Sequence, residues 1–445
     1  MKYLLKTFLF AIMYINSYSQ INVIVDTTQE IIYPLQLNKP NINDNLLPLK
    51  KLFESKTIIG MGEATHGTKE FFETKVKTFQ FLVTHCNYRV FGIEASYGEC
   101  NYINDYVETG IGNIDSVMSN FSFWTWRTQE VKELILYIKN YNQSKTDSEK
   151  ILFCGFDMQD FYSPLKYISD FFKLDYSTYR MELDSITHPI LSKTKIQLNQ
   201  KWQDKKLKFD DTLNLTYTSL KSWIEKNKAT IKHKYQKKQI EKLNLCVNNY
   251  HQSINMKKVS NISKYRDSCM AYNIVEIQKI ENAKMFIWAH NGHINLSYPE
   301  NYSISMGLPM GGYIKNIIDS NYYAIGFIFN QGSFQAIKGP NTIIGGIFMS
   351  IFSKKHLYKG LIECTVPINK TNTFTNALST AFQQPFFIDL ASTNNRVFTT
   401  RLWTYDIGSV YFNYKNSSWK INAKKQFNGL IYIPKITRAI PIKLE

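Results

Sequence analysis

No Cys-x-x-Cys pair, no His-Glu-x-x-His run and no Gly-x-Ser-x-Gly elbow occurs anywhere in the 445 residues. The first absence removes zinc-ribbon architectures. The second removes the helical zinc-protease site, and the third the serine nucleophile of the usual α/β-hydrolase turn. The six cysteines, Cys86, Cys100, Cys154, Cys246, Cys269 and Cys364, are widely spaced and read as scattered core thiols. Past the first twenty residues, no apolar stretch reaches the roughly 20 residues that a bilayer-spanning helix needs. There is no internal repeat and no low-complexity linker. Histidine is scarce, at eight residues, so where it falls carries weight.

Apolar residues make up 44% of the chain and charged residues 20%, the balance of a folded globular protein. The net charge of +17 is almost all lysine, concentrated between Lys193 and Lys258, where 16 Lys face five acidic residues for a local +11. No zinc finger, RNP signature or basic region with heptads accompanies it, so we expect no nucleic-acid partner. Lysine-rich solvated helix faces account for the excess, and attraction to an anionic surface is the other reading. At the N-terminus, Lys2 and Lys6 precede a short apolar run, Phe8 to Ile15, with small residues at Ser17 and Ser19. That pattern reads as a signal peptide over residues 1–19, followed by a lead-in over 20–45, and places the protein in the periplasm or medium.

Five apolar runs read as buried strands: Thr57–Gly62, Arg89–Glu94, Ile151–Asp157, Lys284–His290 and Tyr322–Phe329. Such runs, without polar alternation, suit a sheet covered on both faces. Helical spacings follow the first two, at Phe72, Val76, Phe79, Leu82 and Val83 and at Val131, Leu134, Ile135 and Ile138. This alternation predicts an α/β fold with a largely parallel sheet. Residues 164–282 show no strand pattern. The stripe Ile240, Leu243, Val247, Tyr250 and Ile254 predicts a helical insertion there, expected to cap the strand ends. Short β-like runs at Gly408–Tyr414 and Gly429–Pro434 are expected to complete or edge the sheet.

Four of the runs end in residues that an apolar core rejects: Gly62-Glu63-Ala64-Thr65-His66-Gly67, Gly92-Ile93-Glu94-Ala95, Gly155-Phe156-Asp157-Met158-Gln159 and Trp288-Ala289-His290-Asn291-Gly292-His293. Ligands and catalytic groups of open parallel sheets collect at such strand ends. His66 precedes a helix expected to begin near Thr68, and the positive end of that helix favours neutral imidazole, the form able to take a proton from water. Glu63 or Glu94 can hold its other nitrogen. His290 and His293, across an Asn-Gly turn, can stabilise an oxyanion or protonate a leaving alcohol. Lys75, on the helix after His66, is expected to meet substrate charge, with a carboxylate partner or a surface position as alternatives. Asp157 and Gln159 read as supporting residues. His66, His290, His293, Glu63 and Glu94 also form a conceivable set of zinc ligands. No cofactor is expected otherwise.

At these motifs the sequence resembles the erythromycin-esterase family, from about Leu46 to the C-terminus and in matching order. Weaker matches follow at Arg266-Asp267, Met306-Gly307, Ala324-Ile325-Gly326-Phe327, Gln331-Gly332-Ser333-Phe334 and Ile407-Gly408-Ser409-Val410-Tyr411. The resemblance implies hydrolysis of a carboxylic ester, by analogy a macrolactone. In it the residue matching His66 is the base for water, Glu63, Glu94, His290 and His293 line the site, and no acyl-enzyme forms. The missing serine elbow agrees with that. Two departures stand out: Lys75 replaces a site arginine of the macrolide-degrading members, losing its bidentate fork, and the chain carries an export signal. A zinc-type hydrolase with the same cluster and an exported binding protein are the alternatives.

Overall fold

The computed structural model describes residues 31–37, 43–172, 178–193, 207–298, 307–339, 361–368 and 373–442. The signal peptide read over 1–19, most of the lead-in, Met306 and parts of the lysine-rich stretch lie outside the described residues. The strands in chain order are β1 (Ile32–Pro34), β2 (Ile58–Met61), β3 (Tyr88–Ser96), β4 (Leu152–Asp157), β5 (Lys284–Trp288), β6 (Tyr322–Lys338), β7 (Leu361–Val366), β8 (Phe386–Asp389), β9 (Leu402–Tyr405), β10 (Val410–Tyr411), β11 (Ser418–Ile421) and β12 (Gly429–Ile436). The main sheet runs β1-β8-β12-β6-β2-β5-β3-β4, with β7 and β10 paired to the far end of β6. From β12 to β4 every pairing is parallel. Only β7, β8 and β1 run against their neighbours. The expected α/β class and parallel sheet are therefore what the chain forms.

Period-2 geometry explains why these strands read as unbroken apolar runs. In β3, Phe91 and Ile93 enter the core on one face while Val90 enters the other; in β5, Phe286 and Trp288 oppose Met285 and Ile287. Helices cover both faces. Lys69–Cys86, Tyr97–Thr109 and Gln129–Asn142 pack on the first, and the helices from Tyr162 to Glu281 share the second core with the sheet. Among the latter, Lys237–Asn255 buries Leu243, Val247, Tyr250 and Ile254, the stripe legible in the sequence. Asn87 (φ 60°) and Asn282 (φ 48°) adopt the left-handed conformation that ends a helix, and each delivers the chain into the next strand.

One feature differs from expectation. The strand expected to stop at Phe329 runs on to Lys338, because β12 and β7 pair with its second half. Gly332 (φ 134°) lets it turn there: a Cβ would meet the Ile436 carbonyl oxygen at 2.0 Å. The Gly429–Pro434 run lies inside the sheet, between β6 and β8, and Gly408–Tyr414 contributes only the short β10. All six cysteines are buried and free. No helix among the described residues is long and apolar enough to cross a membrane.

Phe91 anchors the first core, stacked at 5.4 Å on Phe153 and 5.5 Å on Phe286, with Phe79 edge-on at 4.9 Å. Phe91→Ala should lower the unfolding free energy by about 3–5 kcal/mol, read from the denaturant midpoint by circular dichroism. An unmoved midpoint would show that this aromatic layer is not part of the cooperative core.

Candidate active site

The C-terminal ends of β2, β5, β3 and β4 are consecutive in the sheet, and each delivers one of the four polar motifs. Close backbone approach fits the first to its neighbours. Gly62 packs against the Asn291 side chain, where a Cβ would come within 2.1 Å of Oδ1. The Asn291 side-chain amide in turn bonds both backbone groups of Phe327 in β6, and the Asn291 backbone N–H donates to the Glu63 carbonyl at 2.9 Å. The turns after β2 and β5 are thereby fixed to each other.

Glu63 is fully buried and saturated. His66 Nδ1 donates to Oε1 at 2.7 Å, Trp288 Nε1 donates to Oε2 at 2.7 Å, and Lys75 Nζ binds the same oxygen. Of the two acidic partners considered for His66, Glu63 is the one in contact. The Nδ1–H tautomer leaves His66 Nε2 without a hydrogen bond among the described residues, its ring 4.8 Å from that of His290. Of the placements open to Lys75, the carboxylate partner is the one found: the side chain is fully buried against Glu63, neither at the surface nor exposed toward substrate charge, and its Nζ sits 4.4 Å over the Trp288 ring. Burial pulls its pKa down to about 8, against the upward pull of Glu63.

Glu94 heads a second network. Arg266 Nη2 donates to Oε1 at 2.7 Å and the His290 backbone N–H to Oε2 at 2.9 Å. Arg266 also grips Asp157 through Nε at 3.0 Å and Nη2 at 2.8 Å, while its Nη1 contacts His293 Nε2 at 2.9 Å. His293 Nδ1 donates to Asp267 at 2.6 Å, and Tyr298 hydroxyl donates to the other Asp267 oxygen at 2.8 Å. Burial raises the Glu94 pKa, yet His293, Arg266 and His66 outweigh it and hold the carboxyl well below the usual range. For His293 burial is likewise outweighed, by Glu94 and Asp267, and the net shift is upward.

His290 is the reverse case. Burial and the adjacent His66 hold its pKa well below the ordinary value, so it is neutral. Its Nε2–H donates to the Ile407 carbonyl at 3.1 Å and its Nδ1 accepts from Gly292 N–H at 3.2 Å. Both nitrogens of His290 and both of His293 are thus committed.

Beside His290 lies a pocket of about 280 Å³ with an apolar wall of Tyr298, Ile328, Tyr405, Trp419, Ile421 and Phe427. Among the described residues, the helical insertion over 164–282 contributes nothing to its lining, part of which comes from β9 and β11, a separate two-stranded sheet; the insertion meets the strand ends through Arg266 and Asp267 instead. Among those residues, too, no group of three or more His, Cys, Asp or Glu side chains is placed to hold a metal ion.

Asp406 was not visible as a site residue from sequence, although it directly precedes the matched Ile407-Gly408-Ser409. It lines the pocket, with Oδ1 3.4 Å from His290 Nε2. Arg266 and Asp267 appeared only as a weak motif match, on a helix that no strand-end pattern connects to the site.

Burial pushes the Asp406 pKa from 3.8 up to about 7, with His293 pulling the other way. The folded protein therefore retains a proton that the unfolded chain has lost, and this aspartate costs stability progressively as pH rises from 3.8 to about 7. Asp406→Asn cannot ionise. It should gain stability relative to wild type across that interval and nothing further above it, measured by chemical denaturation at a series of pH values. Parallel pH profiles for the two proteins would contradict this.

Known proteins agree with this architecture. The pattern described as erythromycin esterase matches residues 83–436. The YbfO protein of Bacillus subtilis (strain 168) is 23% identical over 90% of this chain and 88% of its own length. Erythromycin esterase type II of Escherichia coli is 23% identical over 77% of this chain and 85% of its own. In three dimensions, a crystal structure described as a succinoglycan biosynthesis protein superposes with a TM-score of 0.73 at 19% identity, covering 92% of this chain and 95% of that one. A mutant of the erythromycin esterase EreC in its open conformation superposes at 0.66 and 15%, covering 93% and 99%. The chain belongs to the erythromycin esterase family, and this membership supports a hydrolase of the esterase type.

Proposed function

We propose that this protein hydrolyses carboxylic esters or lactones by direct attack of a water that His66 deprotonates. The observation that carries the reading is the Glu63–His66 pair: Nδ1 is held at 2.7 Å by a fully buried carboxylate, and Nε2 has no hydrogen bond among the described residues, with the ring of the pocket-lining His290 4.8 Å away. A base so oriented is poised for proton abstraction without a rotamer search. As the water oxygen bonds to the carbonyl carbon, its proton passes to His66 Nε2, and Glu63 stabilises the imidazolium that results. Collapse of the tetrahedral intermediate breaks the bond to the alcohol. The apolar pocket suits an ester with a hydrophobic acyl or alkoxy part. Macrolactones enter as test compounds through the names of the E. coli relatives. Export through residues 1–19 belongs to the same proposal.

The test is hydrolysis by the purified protein, wild type beside His66→Ala, with 14-membered macrolides, simple lactones and aryl esters, with and without chelator. His66→Ala should lose about 10²–10⁴-fold in kcat while keeping its circular dichroism. A folded His66→Ala with wild-type turnover would overturn the mechanism, and chelator-sensitive turnover would favour a metal-dependent hydrolase instead.

A further inference from the structure

A base that takes a proton from water solves half of ester hydrolysis. The departing alkoxide of an alkyl ester or lactone also needs a proton, and the geometry around His290 limits what can give it. Five acid–base side chains line the pocket among the described residues: His290, His293, Tyr298, Tyr405 and Asp406. His290 donates Nε2–H to the Ile407 carbonyl and accepts at Nδ1 from Gly292. His293 is held between Asp267 and Arg266. The Tyr298 hydroxyl donates to Asp267, and the Tyr405 hydroxyl donates to the Pro367 carbonyl at 3.2 Å. Asp406 is left: its Oδ1 is buried and has no hydrogen-bond partner.

Its placement is fixed by backbone, not by side-chain pairing. Asp406 N–H donates to the Ser417 carbonyl at 3.0 Å, and the next residue, Ile407, donates to the Ala64 carbonyl at 2.7 Å, two residues from His66. Thr65 and Ile407 form a parallel bridge. The loop of the base and the loop of Asp406 are thus joined directly, with the His290 ring beside both.

We propose that Asp406 is a further catalytic residue, the general acid that protonates the leaving alkoxide. The proposal rests on the ester-hydrolase reading above. In the step, the carbon–oxygen bond to the alcohol breaks, its electron pair stays on the departing oxygen, and the Asp406 carboxyl proton moves to that oxygen. Asp406 is left as carboxylate and His66 as imidazolium. Transfer of the imidazolium proton to Asp406 through solvent restores both, and the net reaction is ester plus water to acid plus alcohol. The groups that face Asp406 are compatible with a protonated carboxyl. His290 is neutral, and burial pushes the Asp406 pKa up to about 7 against the downward pull of His293, itself bound to Asp267 and Arg266; Tyr298 donates to Asp267.

A general acid matters in proportion to how poorly the alcohol leaves. The experiment compares wild type and Asp406→Asn on two esters of the same acid, one p-nitrophenyl and one simple alkyl. Asp406→Asn should reduce the alkyl-ester kcat/KM by about 10²–10⁴-fold and the p-nitrophenyl rate far less, since p-nitrophenolate departs unaided. The ratio of the two rates is indifferent to the fraction of variant that is folded. Equal losses on both esters, or no loss on the alkyl ester, would overturn the proposal while leaving the esterase reading in place. A wild type that turns over neither ester would overturn both.

Discussion

A single buried carboxylate, Glu63, meets three donors from three different elements, and the site is organised around that meeting. It orients His66 from its own turn, it receives Trp288 from the end of β5, and it carries the charge that makes a fully buried Lys75 tolerable. An ion pair so deep gains little net stability, because desolvation offsets the attraction, but removal of one partner leaves an uncompensated charge. The Trp288 ring under Lys75 Nζ adds a cation–π contact in a place with no water to compete. The consequence is an imidazole with one fixed tautomer.

The second network has a complementary character. Glu94, Asp157 and Asp267 are bound to Arg266 and His293, so each of the three carboxylates has a basic partner within a few ångströms. Between the two networks sits neutral His290, bonded by its backbone to Glu94 and touching His66 by its ring. The pocket thus meets the networks through His290 and His293 and is otherwise largely apolar. In that setting a lone carboxyl such as Asp406 favours its protonated form, since burial penalises the ion and no cation is in contact to repay it.

Much of this was legible in the sequence because buried strands and catalytic ends are both compositional extremes. An apolar run that closes on Glu, Asp or His has no core explanation, and β2, β3, β4 and β5 all do so; their order in the sheet brings those ends together. What escaped was set by tertiary placement. Arg266 reaches the site from a helix, Ile262–Glu281, that buries polar Asp267 and Asn273 among its apolar residues and so shows no clean apolar stripe. Asp406 stands on an irregular segment whose backbone partners, Ala64 and Ser417, share no periodicity with it. Lys75 lies on an inward-facing part of its helix, and the sequence gives no means of separating a lysine under the active site from one at its surface. The length of β6 escaped as well, since Asn330 and Gly332 look like a strand end until β7 and β12 are seen to pair beyond them.

The central claim is that Glu63 makes His66 a base by holding the proton on Nδ1. The most direct measurement is kcat for Glu63→Gln on an ester that the wild type hydrolyses, with folding confirmed by circular dichroism. A glutamine amide can donate to Nδ1 and so move the imidazole proton to Nε2, the wrong nitrogen for attack on water. The account expects kcat to fall by about 10²–10⁴-fold with little change in KM, the loss that follows from a misplaced tautomer. A folded Glu63→Gln protein with undiminished kcat would contradict it.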